Sequence, residues 1–278
     1  MRILLAATRL AGATVLALCC GEASAAHRIS MVRGGTQSTY ILDGEKVRIE
    51  EKGSPRVLVF DGKSMEYFEI DNENKTWAMA TLRDVQAEAK ALGQQLDEAG
   101  AAVPADERQR AIEERRERLA RWAKLLEDTR FVPTRNEGRV ADRRCDGYTE
   151  RVDGKIVAEG CYIPWGRKTI RKEDLTALTR FAEFLNTALA NVPTAAGIDL
   201  RDGPLGRLNR APGFPALRYD VAPDGKSGVL LKLLELQSSF SVTPETFRPP
   251  AGYTKLDRPA AVVAPALERT RERAPVPP

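Results

Sequence analysis

The chain has 278 residues, with 43 Lys and Arg against 39 Asp and Glu, a single histidine and four cysteines. That length supports one large core or two small ones. The interleaved, nearly balanced charge argues against a nucleic-acid partner, and one histidine removes Ser-His-Asp and Cys-His nucleophile systems.

Residues 1–25 read as an export signal. Arg2 and Arg9 precede an apolar run from Leu10 to Cys20, which is too short to span a bilayer, and Ala23 and Ala25 occupy the small-residue cleavage positions. Cleavage after Ala25, with Ala26 next, gives a periplasmic or secreted protein. A lipid anchor on Cys19 or Cys20 is the competing reading, although Leu18 and Cys19 are not the small residues such processing prefers. No later apolar stretch reaches transmembrane length. His27 would then stand at the mature N-terminus as an exposed residue, and no second histidine accompanies it for a metal.

From Arg28 to Ala80 apolar and polar residues alternate between turn signals at Gly34-Gly35, Asp43-Gly44, Gly53-Ser54-Pro55, Asp61-Gly62 and Asp71-Asn72. The pattern predicts a meander of about six short strands. Val47 and Ile49 share one face, as do Trp77 and Met79, and an apolar face of this kind needs a cover.

At Thr81 the period changes. Leu82, Val85, Ala89, Leu92, Leu96 and Ala99 form a helical seam with Thr81 as N-cap, and Gly100 and Pro104 break it. A second helix from about Ala105 to Asp128 carries Ile112, Leu119, Trp122 and Leu126 on one side and dense Glu and Arg on the others. The pair reads as a helical hairpin inserted at about 82–129, its charged faces solvated.

Strand pattern returns at Phe131-Val132 and Arg139-Val140 and runs into Cys145–Gly166, a hairpin with a cysteine near each end. An even pair in an exported chain favours a disulfide over two buried thiols or a metal site. A three-residue loop Val152-Asp153-Gly154 sets Arg151 opposite Lys155 and Cys145 opposite Cys161. A two-residue turn at Asp153-Gly154 would instead place Cys145 opposite Tyr162 and send the two sulfurs to opposite faces.

A covering helix follows over 172–190, with Leu175, Leu178, Ala182, Leu185 and Leu189 on one stripe, widened by Phe181 and Phe184. Residues 191–213 read as a long loop. A second hairpin turns at Pro223-Asp224-Gly225, and an extended end docks Phe247 and Tyr253. The Pro-, Ala- and Arg-rich tail 258–278 reads as disordered, leaving a domain over 26–257.

Four stretches in this order, "YILDGEKVRIEEKGSPRVLVFDGKSMEYFEIDNENKTWAM", "CDGYTERVDGKIVAEGCYIPWG", "KEDLTALTRFAEFL" and "GFPALRYDV...VTPETFRPPAGYTKL", resemble the exported bacterial domain-of-unknown-function family 4412, itself similar to the lipoprotein-carrier (LolA/LolB-like) superfamily. The resemblance implies an α+β fold: a curved, incompletely closed antiparallel β-barrel with a covering helix, here with an inserted helical hairpin. It assigns no reaction.

Two functional expectations stand. One is a non-catalytic envelope protein without a cofactor, whose helical hairpin docks a protein partner. The other is carriage of a lipid or acylated ligand in the half-barrel, with Val47, Ile49, Trp77, Met79, Phe181, Phe184 and Leu185 as lining candidates. The same residues equally describe a packed core.

Overall fold

The computed structural model describes residues 26–100, 128–166, 168–189, 210–221 and 227–261, together with Asp106, Glu107, Gln109, Arg110 and Glu113, all five helical. The expected export signal with Cys19 and Cys20 lies outside the described residues. So do most residues of the expected second helix, residues 190–209 of the expected loop, the expected turn at 223–225 and the tail from 262.

Among the described residues twelve strands form one open sheet. They are β1 (Ala26–Arg33), β2 (Thr36–Asp43), β3 (Lys46–Glu51), β4 (Arg56–Asp61), β5 (Glu66–Asp71), β6 (Thr76–Thr81), β7 (Arg130–Val140), β8 (Arg143–Val152), β9 (Lys155–Pro164), β10 (Gly213–Val221), β11 (Ser227–Phe240) and β12 (Thr254–Lys255). Their spatial order is β12-β6-β5-β4-β3-β2-β1-β11-β10-β9-β8-β7. Every pairing is antiparallel except that of β12 with β6. The expected six-strand meander is β1–β6, and β1 joins it to the second half of the sheet through β11.

Of the described residues, α1 (Leu82–Gly100) and α2 (Thr176–Leu189) pack on the sheet, the latter entered through a 3-10 turn at Glu173–Leu175. The expected cap of α1 is present and reciprocal. Thr81 donates its backbone N–H and its hydroxyl to Asp84 Oδ2, and the Asp84 N–H reaches back to Thr81 Oγ1 at 3.4 Å. This is a capping box with aspartate in place of the usual glutamate. Val85 and Ala89 of the predicted seam are buried.

The sheet buries apolar residues on both faces. On the face covered by α1 and α2, Ile29, Leu42, Val47, Phe60, Tyr67, Ala78 and Ala80 join Val85, Ala89, Leu178 and Phe184 in the main core. On the opposite face Val57, Val59 and Ile70 pack with Phe247, Trp77, Tyr253 and Val242. The C-terminal segment builds this second cluster, as expected for Phe247 and Tyr253. Arg48 holds the turn Pro244–Phe247 through the carbonyl of Thr246, and the chain then runs along β6 by Thr254 N–H to Lys75 O and Leu256 N–H to Trp77 O. It stays docked beyond the expected domain end at 257, since Ala260 is buried in the main core and donates to Met79 O.

The Cys145–Cys161 disulfide is formed, with a Cα–Cα separation of 5.3 Å. The register that brings it about differs from the one expected. Val152 pairs with Lys155 across a two-residue turn whose members, Asp153 (φ 48) and Gly154 (φ 77), are both left-handed, the type I′ arrangement. A bulge between Glu150 and Arg151 then leaves Val157 unpaired and shifts the ladder by one residue. Cys161 therefore faces Gly147, two residues from Cys145 on the same face, and the bond runs diagonally. Gly138 of β7, the pairing partner of Cys145, makes room for it. A β-carbon there would lie 3.2 Å from Cys161 Sγ.

Candidate functional site

The lining candidates divide between the two faces of the sheet. Val47, Ile49, Phe181, Phe184 and Leu185 belong to the main core. Trp77 packs in the opposite cluster, and Met79 alternates with the core-facing Ala78 and Ala80, so neither lies under the helices. The reason is steric. Helices approach a sheet closely over small residues, so β6 turns its alanines toward α1 and α2. Trp77 instead covers the far face, with the Lys255 ammonium 5.3 Å from its ring centroid.

Between α2 and the sheet, ring contacts occupy the space directly beneath the helix. Phe60 of β4 meets Phe181 at 5.2 Å and Phe184 at 5.1 Å between centroids, and Phe181 stacks on Tyr67 of β5 at 6.1 Å. Phe184 is fully buried. Phe60 and Tyr67 belong to one cross-strand row: Leu42 pairs with Val47, Val47 with Phe60, Phe60 with Tyr67 and Tyr67 with Ala80.

The next row of the same face runs Tyr40, Ile49, Leu58, Glu69, Ala78. Here Ile49 and Leu58 are only half-buried, whereas Glu69 is 8% exposed. Beside α2, therefore, a carboxylate interrupts an apolar row on the core face. Sequence reasoning passed over Glu69 because "EYFEID" reads as ordinary alternation, and strand parity alone cannot say which face receives a helix.

Two further polar clusters are buried. Glu150 of β8 is 1% exposed and accepts from Arg218 Nε at 2.6 Å and Nη2 at 3.0 Å, and from the Tyr162 hydroxyl. Tyr162 is ringed edge-on by Phe131 (5.6 Å) and Tyr148 (5.7 Å). This is a closed, bidentate ion pair on the side of β8–β9 away from the disulfide.

The second cluster corrects the expectation for His27. It is not an exposed terminus: it is 7% exposed within β1, between Leu42 of β2 and Ser238 of β11. Its Nε2 lies 3.4 Å from Asp174 Oδ2 at the entrance to α2, and Arg171 grips the same carboxylate. Burial holds the imidazole below its ordinary pKa, against the pull of Asp174. Burial works against ionisation of Asp174, but hydrogen bonds from the Arg171 side chain and backbone, with the nearby His27, outweigh it and hold the carboxyl below its ordinary value.

Trp165 closes the end of the Cys145–Gly166 hairpin, donating to Ala211 O at 3.0 Å and lying edge-on to Phe214. Among the described residues no three His, Cys, Asp or Glu side chains are grouped to hold a metal ion, and no helix is long and apolar enough to cross a membrane.

No protein-family model matches the sequence, and no curated protein matches it either. Among solved structures it is similar to a chain of PNGF-II, at 11% identity and TM-score 0.30 over 90% of this chain. It is also similar to MucB in complex with MucA(peri), at 13% identity and TM-score 0.31 over 86% of this chain. A chain of the Pseudomonas aeruginosa MucA/MucB complex gives 11% and 0.31 over 82%. The chain spans about a third (34%) of the PNGF-II chain and 57% of each of the other two. Scores of this size fall short of a shared fold.

Proposed function

We propose that this is a non-catalytic exported protein of the bacterial envelope, built on a LolA-like half-barrel, that engages a protein partner through its inserted helical segment. The observation that carries the reading is the ring cluster of Phe60, Tyr67, Phe181 and Phe184. It fills with side chains the space beneath α2 that a carrier would keep for cargo. The disulfide fits an oxidising compartment. Meanwhile α1 turns Val85 and Ala89 inward and leaves Ala87, Lys90, Ala91, Gln94, Gln95 and Glu98 exposed, a continuous face for contact.

A photo-crosslinking residue at Gln94 or Glu98 tests it in cells. The expected result is a discrete protein adduct that is absent when the same residue sits at Lys63, on the exposed β4–β5 turn. Identical adduct patterns from the two places would overturn the reading. The second reading, carriage of an apolar or acylated ligand, draws on the half-buried Ile49 and Leu58. Saturable uptake of a fluorescent fatty acid, lost on Leu58→Glu, would favour it.

A further inference from the structure

Four buried side-chain atoms among the described residues lack a hydrogen-bond partner: His27 Nδ1, Asp43 Oδ1, Arg151 Nε and Glu69 Oε2. Glu69 differs from the rest because it interrupts an apolar row on the core face. It follows Ile49 and Leu58 in register on the core face. Its other oxygen, Oε1, has only the guanidinium of Arg56, 3.7 Å away on a side chain 58% exposed. A buried carboxylate oxygen without a donor is costly, and natural structures keep such atoms rarely.

The surroundings specify that donor. Two residues along each strand from Ile49, Leu58 and Glu69, the same face carries Glu51, Arg56 and Asp71. Glu69 and Asp71 alone set two carboxylates against one guanidinium, so the strip favours a cation. Asp71 is held in the ionised form by hydrogen bonds from Asn74 and Glu73. A guanidinium fork needs both oxygens of its carboxylate, and Oε1 already faces Arg56. An ammonium is a point donor that needs one. A lysine also brings a methylene stem that lies flat on apolar side chains while its head reaches a charge.

We propose that Ile49, Leu58 and Glu69 form a lysine-accepting subsite. A lysine of a partner protein lays its stem on Ile49 and Leu58 and donates from Nζ to Glu69 Oε2. The proposal rests on the reading of the chain as a protein-binding module, but it uses a surface other than the exposed face of α1. Its test can therefore fail while crosslinking from Gln94 persists, and the reverse.

The test is methyl NMR of Ile49 and Leu58 in the whole exported protein, titrated with n-pentylammonium, 1-pentanol, pentylguanidinium and dihexanoyl phosphatidylethanolamine. Pentylammonium is expected to shift both methyl signals saturably, and pentanol to bind at least about tenfold more weakly. Glu69→Gln should bring the two to the same affinity, with an unchanged circular-dichroism spectrum. Arg56→Ala, a change at an exposed side chain, should release Oε1 and let pentylguanidinium bind at least as well as pentylammonium. Equal binding of pentylammonium and pentanol to the unmodified protein overturns the proposal. If Glu69→Gln fails to fold, Arg56→Ala decides, and no gain by the guanidinium overturns it. Saturable binding of the phospholipid without a response to pentylammonium also overturns it, in favour of a lipid.

Discussion

Glu69 and Glu150 are both buried glutamates in one sheet, and they are held in opposite ways. Glu150 accepts from both arms of Arg218 and from Tyr162, so its charge is matched within the fold. Glu69 keeps an oxygen with no donor and a distant, exposed arginine. A matched charge is part of the architecture, because removing one partner strands the other. An unmatched buried charge costs the fold free energy instead of adding to it, and points to something the fold itself does not supply.

The largest expected effect follows directly. Glu150→Ala leaves the Arg218 guanidinium largely buried without its carboxylate and should destabilise by about 3–5 kcal/mol in urea unfolding. Glu69→Gln should change stability by about 1 kcal/mol or less, since it removes only a long contact to an exposed arginine. If the two cost the same, the distinction between the two regions fails. Replacing Glu150 and Arg218 together by leucines should recover most of the loss, because neither charge is then left alone.

The disulfide comes next. It ties β8 to β9, the strands that also carry Glu150 and Tyr162. Cys145 and Cys161 are separated by 16 residues, and replacing both with alanine should lower stability by about 3 kcal/mol through the freed unfolded chain. Because that loss acts on the unfolded state, it should add to the loss from Glu150→Ala. A double-mutant cycle reads this, and a large coupling energy would mean that the bond positions the ion pair.

What the sequence conveyed and what it did not follow the same division. The meander was legible because each turn carries its own Gly, Asp or Asn signal. The cap at Thr81 and the stripe on α2 were legible because both are local. The hairpin register was not, since the bulge that leaves Val157 unpaired shows only in the pairing of β8 with β9 and carries no glycine or other turn signal of its own. The choice of face at β6 was misread because large side chains look like core, while close helix approach selects Ala78 and Ala80. His27 was misread because its partners, Asp174 and the strand β11, come from far along the chain. Glu69 was invisible because "EYFEID" alternates like any other strand of the meander and parity alone does not say which face receives the helices.

A smaller effect is expected at the α1 cap. Thr81→Ala removes the hydroxyl that bonds Asp84 Oδ2 and that receives the Asp84 N–H. The loss should be about 1 kcal/mol. Asp84→Asn keeps the side-chain shape but removes the charge that favours a helix N-terminus, and should cost less. A loss from Thr81→Ala as large as that from Glu150→Ala would mean that α1 anchors the sheet rather than resting on it.

The smallest effect tests whether an unmatched buried group always weakens the fold as conditions turn against it. His27 resembles Glu69 in having one ring nitrogen, Nδ1, without a partner, yet Nε2 has Asp174. Burial depresses its pKa in the folded chain below the ordinary 6.5. The unfolded chain then binds the proton more readily than the folded one. Stability is therefore fully present above about pH 6.5 and falls as the pH drops through 6.5 toward the lower folded value. The opposing groups are Asp174, which favours the proton, and Arg171, which disfavours it. His27→Gln should flatten this part of a stability-against-pH curve. A separate decline at lower pH should remain, as Asp174, whose folded pKa is depressed, takes up its proton. If stability instead rises on acidification from pH 7 to pH 5, and His27→Gln abolishes the rise, then the imidazolium–Asp174 pair outweighs burial and His27 belongs with Glu150 rather than with Glu69.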